Sequence, residues 1–137
     1  MSEKLIVEFY EQTSTSPVAT VLSIHGGDNP VSAALTLCDF LNQISKLDRS
    51  DFNDAGLLAA RFIIWHATHV DGPRGLEISD VMLIQNAKDY GYQTARVHAL
   101  QERPYVEIVE DQYSTAEELE SAAFLLRQSN VGCLSTQ

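Results

Sequence analysis

Basic residues are scarce in this chain. Nine Lys and Arg stand against 19 Asp and Glu over 137 residues, for a formal net charge of -10. Nucleic-acid affinity depends on cationic side chains displacing counterions from phosphates, so this balance argues against direct DNA or RNA binding. Acidity of this size in a folded domain is most often a solubility device. Cysteine is nearly absent too, since Cys38 and Cys133 lie far apart and neither belongs to a C-x-x-C pair. Two thiols in a reducing cytoplasm are the simplest reading, with one long-range disulfide as the alternative. No apolar run approaches the ~18 residues of a membrane span. Met1-Ser2-Glu3-Lys4 leads straight into a strand-like alternation, without the basic, apolar and small-residue regions of a secretory signal. The expected setting is cytoplasmic, with no membrane partner.

What is present is an ordinary globular composition, 45% hydrophobic. A chain of this length buries one core, so residues 1–137 are expected to form a single α+β domain. Residues 4–11 and 18–25 alternate as a hairpin, with Leu5 expected opposite Ile24 and Val7 opposite Leu22. Gly26 to Pro30 then starts a helix, with Asp28 or Asn29 as N-cap and Pro30 at the first helical position. Leu37, Phe40, Leu41 and Ile44 carry it to about Lys46. Leu57 to Val70 is apolar in both parities, and its Phe-Ile-Ile-Trp cluster favours a central strand with Phe62, Ile64 and Trp65 buried. Glu77 to Gln85 is expected to add another strand.

Residues 94–100 and 105–111 form a second expected hairpin, with Leu100 opposite Tyr105 and His98 across from Glu107. Ser114-Thr115-Ala116-Glu117 has the composition of a capping box, and Ala116, Leu119, Ala122, Ala123 and Leu126 follow one face of a helix ending near Asn130. The order is ββαββββα: a mainly antiparallel sheet of five or six strands with two helices packed on it. Residues 4–46 and 94–130 share a ββα pattern, a weak pseudo-repeat.

Several constellations invite a chemical reading. His25-Gly26-Gly27, at the end of an apolar strand, resembles the His-Gly-Gly oxyanion element of lipase-like hydrolases over three residues. Those enzymes also need a Gly-x-Ser-x-Gly elbow, which this sequence lacks. As a phosphate cradle the same loop has Asp28 where the anion would sit and no following lysine. His66 and His69 have metal-like composition, but on the expected strand they point to opposite faces, so no metal is expected. No cofactor signature is present.

The remaining feature is acidic. Glu107, Glu110, Asp111, Glu117, Glu118 and Glu120 fall within 14 residues. Such a patch steers a basic partner toward contact. The expected role is a small non-enzymatic binding or inhibitory domain whose partner presents a basic surface, for example a nucleic-acid-handling protein. A homo-oligomeric structural subunit is the first alternative. A small enzyme using His25 with Asp28, or His66 and His69 with a metal, is the second.

Overall fold

The computed structural model of the chain describes residues 5–12, 15–23, 27–45, 54–69, 76–78, 93–99, 104–109 and 115–128, with backbone alone at 44, 45, 69 and 76–78. Strand β1 (Leu5–Tyr10) lies in the middle of the sheet. Its alternation turns Leu5, Val7 and Phe9 to one face, where all three are buried. β2 (Ala19–Ser23) returns antiparallel beside it, and Val18 N–H donates to the Phe9 carbonyl at 2.8 Å. Leu5 stands opposite Ser23 and Val7 opposite Val21, one residue from the expected register. That slip sends Leu22 to the far face with Ile6. The reason is that residues 18–24 carry apolar side chains in both parities. The observed parity also turns the Ser23 hydroxyl toward a buried partner, His66.

Helix α1 (Pro30–Ser45) starts as its sequence indicates. The Asn29 side-chain oxygen accepts from Ser32 N–H at 2.9 Å, and the Asn29 carbonyl accepts from Ala33 N–H. Asn29, not Asp28, is the cap. The next element overturns an expectation: Ala55–His69 is a helix, α2, and not a central strand. Asp54 caps it by accepting from Leu57 N–H at 3.0 Å, and the Glu11 carboxylate accepts from Ala55 N–H at 2.9 Å. With its first turn held at two points, the segment buries Leu58, Ala59, Phe62, Trp65 and His66 at helical spacing, while Ile64 is left 62% exposed.

β3 (Leu76–Ile78) pairs antiparallel with β2, so the expected strand from Glu77 begins in place and its remainder lies outside the described residues. β4 (Gln93–His98) runs parallel to β1, and β5 (Tyr105–Val109) returns antiparallel beside β4. The sheet is therefore mixed, in the order β3-β2-β1-β4-β5. Three helices among the described residues stand where two were expected. The third, α3 (Ala116–Gln128), packs along α1.

All three helices share one core with one sheet face. Phe9, Phe40, Phe62 and Trp65 meet there, with Phe40 and Phe62 edge to face at 5.2 Å between ring centroids. On β4 and β5 the same face presents Ala95, Val97 and Val106. The two hairpin-plus-helix units flank the parallel β1–β4 pair, with β2 and β5 outermost of the four strands.

Candidate functional site

Of the acids that crowd residues 107–120 in sequence, the described ones lie on two elements, β5 and the third helix. Glu107 points to the sheet face away from the helices, because Val106 is its core-facing neighbour on β5. Glu110 and Asp111 lie outside the described residues. Glu117, Glu118 and Glu120 are on α3, in different roles. Thr115 is the N-cap: its hydroxyl accepts from Glu118 N–H at 3.1 Å, and the Glu118 carboxylate accepts from Thr115 N–H at 3.0 Å. The capping box therefore runs from Thr115 to Glu118, one residue later than expected, and Glu117 is released from it. Glu117 and Glu120 project outward and line a shallow groove with Ser121, Phe124, Leu125 and Arg127. Phe124 is 55% exposed there.

The other sheet face carries an ordered set of polar side chains, laid out in rows by the strand registers. Tyr10 lies opposite His98, and His98 opposite Tyr105. Tyr10 and His98 stack at 5.0 Å, and His98 meets the Tyr105 ring at 5.2 Å. In the next row Glu8 lies opposite Arg96 and Arg96 opposite Glu107. Arg96 Nε donates to Glu8 Oε1 at 3.1 Å, and its Nη1 lies 4.0 Å from Glu107 Oε1. The guanidinium also sits 5.9 Å from the Tyr10 ring centroid. His98 does contact Glu107, at 3.4 Å, but diagonally, because the hairpin register is two residues from the one expected.

One cation thus sits between two carboxylates. Burial alone would lower the Arg96 pKa, but the hydrogen bond to Glu8 and the surrounding negative charge reverse this, and the net direction is upward. Tyr10 is also raised, first by burial and then by the charge of Glu8. This network ties β1, β4 and β5 together. It also engages the Glu107 carboxylate, which both Arg96 and His98 approach.

The histidines are placed differently from the sequence expectation. His66 and His69 lie on one helix, where residues three apart share a face, so the argument from diverging strand side chains does not hold. His66 is fully buried, and its Nε2 lies 2.8 Å from Ser23 Oγ. A buried Ser–His contact of this kind fixes α2 to β2. A nucleophile would need an approach for substrate. The His69 side chain and the whole of His25 lie outside the described residues, and Asp28 is exposed. Among the described residues, no group of three or more His, Cys, Asp or Glu is placed to hold a metal ion. The Cys38 thiol lies 3.7 Å from the Leu125 carbonyl, between α1 and α3, and Cys133 is outside the described residues.

Two of these features escaped the sequence. The Glu8–Arg96 pair exists only because β1 and β4 lie side by side in parallel, which no local pattern reveals. Phe124, by contrast, was within reach: it lies seven residues after Glu117 and four after Glu120, on the arc opposite Ala122 and Leu126. No helix among the described residues is long and apolar enough to cross a membrane. Comparison of the chain with family models, curated proteins and solved structures finds no match.

Proposed function

We propose that this protein is a non-enzymatic binding or inhibitory domain, and that the outer face of α3 receives a partner with a basic surface. The observation that supports this is the setting of Phe124, a large apolar ring more than half exposed and flanked on its own helix by Glu117 and Glu120. A partner arginine can lie over such a ring while its guanidinium meets the carboxylates. The ring supplies apolar burial, and the acids supply steering. A nuclease or another nucleic-acid-handling protein has such a surface. Covering it with an acidic domain would exclude the nucleic acid, so the partner and not this chain contacts DNA or RNA. The setting is taken to be the cytoplasm, on the sparseness of cysteine.

The roles of the acids choose the variant. Glu118 closes the cap and must be kept; Glu107 is held by Arg96 and His98. The test is Glu117→Lys combined with Glu120→Lys, with Phe124→Ala as a separate variant. A basic protein captured by the wild type at low salt is purified, and its association is measured against ionic strength. The double reversal is expected to slow association and flatten its salt dependence, and Phe124→Ala to speed dissociation. Equal rates and salt slopes for all three proteins, with unchanged circular dichroism, would mean that these acids only solvate the helix.

A further inference from the structure

Helix α2 carries large apolar side chains on two opposite arcs, although a helix at a surface normally keeps them to one. One arc faces the core. On the opposite arc Leu57, Ala60, Ile64 and Thr68 are exposed around a half-buried Arg61, with Leu57 39% and Ile64 62% exposed. Arg61 already has an interaction of its own. No acidic residue occurs anywhere in Ala55–His69, although the chain as a whole carries -10. Among the described helices, α1 carries Asp39 and α3 carries Glu117, Glu118 and Glu120. A basic partner gains nothing from a face without acids. For two strongly negative copies of this chain, contact along α2 beyond its cap Asp54 sets no acid of the helix against its copy.

We infer that α2 is a self-association surface, on which a second copy of the chain docks antiparallel about a two-fold axis near Ala60. The spacing supports a self-complementary contact. Leu57 and Ile64 are seven residues apart, two helical turns, so an antiparallel pair centred between them sets Leu57 against the partner copy's Ile64, and the reverse. Ala60, at the crossing, is small enough for the helices to approach. Two large side chains per copy fall short of the roughly 800 Å² per partner of a standard interface, so the dimer is weak and concentration-dependent.

Its salt response is opposite to that of the α3 surface. Salt screens repulsion between like-charged copies and strengthens the dimer, whereas it weakens capture of a basic partner. Sedimentation of the full chain at rising concentration tests the assignment at low and high salt. The wild type is expected to move from 15.2 kDa toward twice that mass, more readily at high salt. Ile64→Glu and Leu57→Lys, each alone, should weaken dimerisation by roughly tenfold or more. Mixed together they should recover association, because the pairing sets residue 57 of one copy against residue 64 of the other. The Glu117→Lys, Glu120→Lys variant should dimerise at least as well as the wild type. A wild type that stays monomeric throughout, a dimer indifferent to Ile64→Glu, or a mixture no better than its components would overturn the proposal, and none of these outcomes bears on α3.

Discussion

Phe62 shows how much a single side chain can carry. Its ring is within 6.0 Å, centroid to centroid, of Phe9, Phe40, Trp65 and His66, and it has no exposed surface. Truncation to Ala leaves a cavity bounded by a strand and two helices, which cannot all collapse inward. The expected cost is about 3–5 kcal/mol in chemical unfolding. Ile64, two residues on, should lose less than ~1 kcal/mol on the same substitution, because its side chain is largely in water. Their contrast separates helix from strand, since a strand would bury Phe62 and Ile64 on one face. Tyr10 supports a prediction of a different kind. Its pKa is raised in the fold by burial and by Glu8, so the folded state holds the phenolic proton more tightly than the unfolded chain does. That contribution is fully present below the ordinary tyrosine value of about 10 and is lost as pH rises through the folded value. Stability followed by urea unfolding across the alkaline range should therefore fall less steeply for Tyr10→Phe than for the wild type.

At the scale of elements, what was legible depended on whether the signal was local. The cap of α1 and the alternation of β1 are written in adjacent residues, and both appear where the sequence puts them. α2 was misread because Phe, Ile and Trp favour strands, and apolar residues in both parities suit a strand covered on two sides. Its fifteen residues exceed the usual strand length, and Asp54 stands before it as a cap. Those two signals pointed to a helix. The second apolar face then becomes the uncovered arc around Ile64. The first hairpin's register failed for another reason: β2 carries apolar residues in both parities, so only tertiary contact decides which face is inside, whereas the two-residue shift between β4 and β5 leaves every side chain on its expected face. The α3 cap was misplaced by one residue, since Ser114 and Thr115 are each followed three residues later by a glutamate. That shift is testable. Thr115→Ala should cost about 1 kcal/mol of stability. Glu118→Gln, which retains an acceptor, should cost less, and Glu117→Gln should be near neutral in the same thermal scan.

For the whole molecule, charge is the dominant constraint. Nineteen acids with nine bases leave the folded chain repelling itself, and compaction brings those charges closer than they are in the unfolded state. One ion pair that opposes this repulsion, Arg96 with Glu8, joins a nearly buried carboxylate to a guanidinium that is only one-third exposed, so salt screens it weakly. Repulsion among exposed acids is screened first. Thermal stability should therefore rise, not fall, between low and physiological ionic strength, an opposite sign from a protein held together by surface salt bridges. The Glu117→Lys, Glu120→Lys variant has less repulsion to relieve, so its melting temperature should climb less over the same salt range. If the wild type instead loses stability as salt is added, attraction outweighs repulsion on this surface, and the acids then belong to local pairs and caps. That outcome would remove the electrostatic basis for a surface poised to meet a basic partner, because such a surface must hold acids that the fold itself does not neutralise.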